Sequence, residues 1–140
     1  MESDLMTRIN VVHPSILTRQ HLLAEWHEIG RVITLAESGV KPEEVPEQYT
    51  LGKGHMKFFA DKLGYIALRI GLIANEMRER GFKVDRRKQL DLIGRIVIVG
   101  FGKDWEPEAN DMAINLERLM ERSPNEAYRR AYDALFENSF

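Results

Sequence analysis

The sequence predicts a mainly α-helical protein, a single compact domain of about three principal helices joined by irregular connections. Apolar residues recur at steps of three and four through two long stretches and one shorter one, and the five prolines fall between or at the edges of those stretches. Size points the same way. The chain has 140 residues, enough for one ordinary domain that buries roughly two thirds of its unfolded surface, and a squeeze for two.

His13-Pro14-Ser15 is a turn signal, and beyond it Leu22, Trp26, Ile29, Ile33 and Ala36 mark one face of a long amphipathic helix. Ser15 and Thr18 are both candidate N-caps, and Gly39 is a candidate stop. The opposite stripe holds Gln20, Ala24, His27, Glu28 and Arg31. Residues 40–54, with Pro42, Pro46, Gly52 and Gly54 among glutamates, read as a solvated connection. A second helix follows, its seam Phe59, Leu63, Ile66, Ile70, Ile73 and Met77 ending at Gly81. The short run Arg95-Ile96-Val97-Ile98-Val99 fits a buried strand or a packed helix equally and is left unassigned. A third helix is expected from Pro107 to Arg122, with Met112, Leu116 and Leu119 inward and Pro124 as its stop. The tail carries Tyr128, Tyr132, Leu135 and Phe136, enough to dock on the core.

Composition narrows the function. With 44% hydrophobic and 30% charged residues the chain reads as a folded globular protein. The absence of cysteine excludes disulfides, thiolate metal sites and thiol nucleophiles. The amino terminus lacks the apolar segment of a secretory signal, and no apolar stretch is long enough to span a membrane, so a cytoplasmic protein without a membrane partner is expected. Twenty basic against 22 acidic side chains give a net charge of −2, so a polyanion would need a local basic patch.

Three constellations could carry chemistry. His21 and Glu25 lie one helical turn apart with Glu28 three residues on, a weak metal pattern that lacks the paired Glu-x-x-His motifs of helical metal sites. No metal site is assigned. The turn Gly52-Lys53-Gly54-His55 precedes a helix and could face an anion, but it lacks the full P-loop pattern. Arg86, Arg87 and Lys88 form one basic cluster, and Arg118, Arg122, Arg129 and Arg130 form another, with Arg118 and Arg122 on one helix face.

More specific is the order of several separated blocks. Met6-Thr7-Arg8-Ile9-Asn10, then Gln20-His21-Leu22, Ala24-Glu25, Glu28 and Arg31, resemble the opening of the phage-type pyrimidine-dimer DNA glycosylase/AP lyases, the phage endonuclease V family. Gly52, Gly54-His55, Phe58-Phe59, Asp61-Lys62-Leu63 and Arg80-Gly81-Phe82 resemble that family's next blocks, in order and at nearly the same spacing. The resemblance runs from residue 6 to about residue 82, and more loosely through Arg118 and Arg122.

This resemblance implies a DNA repair enzyme without metal or nucleotide cofactor, acting as a monomer on damaged double-stranded DNA. The α-amine of Thr7, exposed by removal of the preceding methionine, would attack C1′ of the damaged nucleotide. Base release leaves an imine, and β-elimination then cuts the strand. An α-amine titrates at about 7.7–8.0, so roughly a tenth or more is neutral at pH 7, far more than of a lysine. Glu28 matches the family's catalytic carboxylate, able to stabilise positive charge at the sugar and to move protons. Arg8 and Arg31 match phosphate contacts, Arg118 and Arg122 a basic pair, and Gln20 and His21 residues near the reaction centre. His27 stands where the family has an arginine for a phosphate contact.

The chain departs from the family at both ends. Six residues precede Thr7, and the expectation is that 1–6 are a removed or over-extended segment, with 7–140 forming one DNA glycosylase domain. Such a chain would lose Glu2 and Asp4 and balance 20 basic against 20 acidic side chains. A retained segment would leave an amide at Thr7 and make the protein a non-catalytic DNA-binding or interaction module on the same scaffold. At the far end the family's Trp-Tyr-Lys-Tyr-Tyr-Gly segment is replaced by Tyr128-Arg129-Arg130-Ala131-Tyr132.

Overall fold

Thr18 turns an extended entry into helix: its hydroxyl accepts the backbone N–H of His21 at 3.2 Å, satisfying one of the donors that a helix start leaves open. The computed structural model describes residues 9–137. Thr7, Arg8 and the expected extension 1–6 lie outside the described residues.

Helix α1 (Arg19–Glu28) runs almost directly into α2 (Gly30–Ser38), because the joining Ile29 keeps helical dihedrals. The pair ends at Gly39, whose φ of 86° only glycine adopts without strain. After the irregular stretch 40–54 come a single turn, α3 (His55–Phe58), and the long α4 (Leu63–Glu79). Asp85 caps α5 (Arg86–Val99) by accepting the N–H of Lys88 at 3.2 Å. Asn125 separates α6 (Ala109–Arg122) from α7 (Glu126–Glu137), its side chain accepting from Ala127 and Tyr128 N–H groups at 2.8 and 3.2 Å.

The described residues are thus all helical outside their connections, but they hold six helices of nine residues or more, not three. The expected first helix is α1 plus α2, the unassigned run 95–99 is the end of α5, and the tail is α7. The reason is plainest in α5. Only Leu92 and Ile96 are fully buried, with Ile93 packed beside them, while Leu90, Val97, Ile98 and Val99 are exposed, so apolar residues on the solvent face hide the helical period.

Helix α4 lies at the centre, against α1 on one side and α5 on the other, while α5 also packs on α2 and α6 pairs with α7. Its whole expected seam is buried, together with Leu22, Trp26, Ile29 and Ile33 of the first helices, Leu116 and Leu119 of α6, and Tyr128 of α7. Tyr49, Phe58, Phe59, Tyr65 and Trp105 form a second aromatic layer, ring centroids 4.9–6.4 Å apart. None of the described helices is long and apolar enough to cross a membrane.

The return loop after α5 is pinned to the start of α4. The Gly64 N–H donates to the Phe101 carbonyl at 2.8 Å, and the Lys103 N–H to the Asp61 carbonyl at 2.7 Å. Between them Gly102 has φ of 75°, and a Cβ there would stand 2.2 Å from the Asp61 carbonyl oxygen. Gly102→Ala is therefore expected to destabilise by roughly 2–4 kcal/mol, clash and left-handed strain adding, as a lower urea midpoint at unchanged slope would show.

Candidate active site

The first described residues are held by side chains from four different elements. The Ile9 N–H donates to His55 Nε2 at 2.7 Å, and the Val11 N–H to Asn115 Oδ1 at 2.7 Å. Asn10 donates through Nδ2 to Glu25 Oε1 at 2.9 Å and accepts from Asn115 Nδ2 at 2.8 Å. Arg69 holds Glu25 through Nε–Oε2 at 2.7 Å and Nη2–Oε1 at 3.0 Å, and its Nη1 donates to the Val12 carbonyl. Asn10, Glu25, Arg69 and Asn115 are all buried. Each polar atom that burial strips of water therefore finds a partner here, which is what makes such a network tolerable in a core.

The network sets protonation states. Burial pushes the Arg69 guanidinium down, but the adjacent Glu25 carboxylate outweighs it and the net shift is upward. Burial also pushes the neighbouring Tyr65 phenol up to about 12, keeping it neutral. His55 Nδ1 lies 2.8 Å from the Thr50 carbonyl, so it carries the ring proton and leaves Nε2 as the acceptor for Ile9. The Gly52–His55 turn thus points its histidine inward at the segment 9–12, and the helix behind it is only four residues long. Glu25, half of the metal pattern considered from sequence, has both oxygens engaged by Arg69 and Asn10.

Glu28 sits one helical turn beyond Glu25, on the same side of α1. The sequence grouped it with the polar stripe, yet the residue is only 9% exposed. Wedged between the core and the exposed stripe, it pairs through Oε2 with Arg31 Nε at 2.8 Å. Lys88 of α5 closes this end of α1. Its ammonium donates to the Trp26 carbonyl at 2.8 Å and lies 4.8 Å from the Trp26 ring centroid. Burial pushes the Lys88 amine down, opposed by Asp85 and Glu28.

Gln20, His27 and Arg31 lie exposed along one stripe of α1 and α2. His21 is half-buried and turned to α7: the Tyr128 hydroxyl accepts the Thr18 N–H at 2.9 Å and lies 2.6 Å from His21 Nδ1. On α6, Arg118 and Arg122 stand three and seven residues after Asn115, on the stripe whose first member holds Val11. Arg118 is half-buried with Glu121 at 3.5 Å, and Arg122 is exposed in the last turn.

A carboxylate of low exposure, a segment clamped two residues beyond Thr7, and arginines on α2 and α6 suit work on a polyanion that needs an acid–base group. A family model described as pyrimidine dimer DNA glycosylase matches residues 6–90, more than half of the chain. The chain belongs to the pyrimidine-dimer DNA glycosylase family. Membership supports a DNA-repair role of the glycosylase and abasic-site lyase kind, with DNA as partner. The matched stretch holds Glu28, the Glu25–Arg69 pair and His55, whereas the basic pair on α6 lies beyond it.

Arg69 and Asn115 stand in no motif read from the sequence, whereas Asn10 and Glu25 lie in the matched blocks, Glu25 also in the metal pattern, and Tyr128 in the divergent tail, all three without the clamping role seen here. One signal was present for Arg69. It stands three residues after Ile66 and four before Ile73, on the buried seam of α4, where a charge needs a partner.

Proposed function

We propose that this protein is a pyrimidine-dimer DNA N-glycosylase with AP lyase activity, working through an imine on the α-amine of Thr7 once that residue is the mature terminus. The observation that carries the reading is the clamp on Ile9–Val12, one of whose anchors, Glu25, stands one helical turn before Glu28. Residues 9–12 are held by His55, Asn115, Glu25 and Arg69, so a chain beginning at Thr7 has only one residue, Arg8, between its amine and the first clamped position. Such a short tether keeps the amine local to α1 and raises its effective concentration at a nucleotide docked there.

In this mechanism the neutral amine forms a bond to C1′ as the bond from C1′ to the base breaks and the base leaves with a proton. The Glu28 carboxylate stabilises the cationic character at the sugar and then moves protons as the ring opens to the imine. Removal of a C2′ proton expels the 3′ phosphate and cuts the strand. Arg31 orients Glu28, and Gln20, His21, His27, Arg118 and Arg122 serve binding, the cations as phosphate contacts that position without reading sequence. Access to C1′ requires a nucleotide turned out of the stack, which a lesion makes easier.

Borohydride trapping tests the reading. Protein whose intact mass shows a Thr7 terminus is expected to form a covalent adduct with duplex carrying a pyrimidine dimer or an abasic site, and the adduct should map to the terminal peptide. Absence of adduct on both substrates would overturn it. Protein that retains residues before Thr7 is expected to bind duplex and trap nothing, because an amide nitrogen is not nucleophilic.

A further inference from the structure

Helix α5 breaks the rules of a solvated helix in three ways at once. Leu90, Val97 and Ile98 are each at least 60% exposed, Ile98 to 85%, and Phe101 just past the helix end is 55% exposed. Positions 90, 94, 97 and 98 share one stripe, opposite to the buried Leu92 and Ile96. At the centre of that stripe stands the exposed Gly94, where a Cβ would meet nothing within 4 Å. Its own fold gives no reason for a glycine that weakens a helix interior relative to alanine. Finally Arg86 and Arg87 occupy the first turn, where the helix dipole disfavours cations, and neither has an ion-pair partner among the described residues. Asp104 and Glu106, beyond the other end, are likewise exposed without a cation partner among the described residues.

An antiparallel copy of the same helix relieves all three. We propose that α5 is a homodimer interface, two copies of this chain crossing antiparallel about a two-fold axis at Gly94. Symmetry then sets each contact, because a residue n positions before Gly94 faces the residue n positions after it. Leu90 of one copy meets Ile98 of the other, and the two Gly94 backbones approach closely where side chains would hold them apart. Arg86 and Arg87 at the start of one copy's helix then come to the end of the other's, which Gly100 closes and whose following segment carries the exposed Phe101, Asp104 and Glu106, with Lys103 between them paired to Asp61. Leu68 of α4, 59% exposed and lining the same hollow as Phe101, extends the apolar surface. Basic start meets acidic end at both edges, a match that fits this pairing and no parallel one.

The monomer expected from the sequence left residues 95–99 without a structure. The proposal does not depend on the repair chemistry.

The chain's lack of cysteine allows a direct test. Gly94→Cys introduces a single thiol at the axis, and mild oxidation is expected to convert it to a disulfide-linked dimer at least about tenfold faster than Arg130→Cys on exposed α7. In sedimentation velocity the 16.2 kDa chain is expected to show twice its mass at about 100 µM. Val97→Glu, which leaves the core untouched, should weaken that association by at least about tenfold with unchanged helicity. A wild-type monomer at that concentration, or cross-linking of Gly94→Cys no faster than of Arg130→Cys, would overturn the proposal. So would association that appears only with duplex DNA present, since the basic turn would then serve phosphates.

Discussion

Glu28→Gln is expected to bind damaged duplex within about twofold of wild type while base release and imine trapping fall by about 10²–10⁴-fold, the range for removing an acid–base or charge-stabilising group. Glutamine preserves the shape and still accepts a hydrogen bond from Arg31 Nε, now 2.8 Å from the carboxylate. What disappears is the negative charge and the capacity to move a proton. Single-turnover kinetics separate these effects from affinity. Equal losses of binding and rate, or a lowered urea midpoint of matching size, would make Glu28 a structural residue. The position explains why the charge should matter. At 9% exposure the carboxylate is screened far less by water than the exposed Gln20 or His27 on the same helix. Its ion pair with the 63% exposed Arg31 side chain leaves one oxygen unengaged among the described residues.

The chain's fold was readable wherever burial followed the helical period. The seam Phe59 to Met77 and the face Leu22 to Ile33 are buried as their spacing implied, and Thr18 caps α1 while Gly39 ends α2. The period failed at α5, where Val97 to Val99 put apolar groups toward solvent, and it blurred α1 with α2 because Ile29 continues the helical path. The site was readable only in part. The ordered blocks single out Glu28 as the match to the family's catalytic carboxylate, but its burial was not legible, since its stripe also carries His27 and Arg31. The partners that clamp residues 9–12 lie 15 to 105 positions away in sequence, and no local spacing encodes a bond from Ile9 to His55 or from Val11 to Asn115.

Arg69→Leu carries the largest expected cost in stability, about 3–5 kcal/mol, because it leaves the Glu25 carboxylate buried without its cation. Arg69 and Glu25 side chains are 2% and 0% exposed, so water cannot replace the lost partner. The Val12 carbonyl loses its donor in the same stroke, and Glu25 keeps only the bond from Asn10. With domain stabilities of about 5–15 kcal/mol, such a loss could unfold the protein at growth temperature. A double variant distinguishes charge from shape. Glu25→Gln with Arg69→Leu removes both charges and keeps an acceptor for Asn10 Nδ2, so it should recover at least about 2 kcal/mol over Arg69→Leu in a urea double-mutant cycle. No recovery would mean that the guanidinium's bond to Val12 and its packing, rather than the ion pair, hold the segment. Recovery of stability without recovery of imine trapping would show that the pair does a second job: with Val12 released by Arg69, the chain leading to Thr7 is folded but no longer aimed.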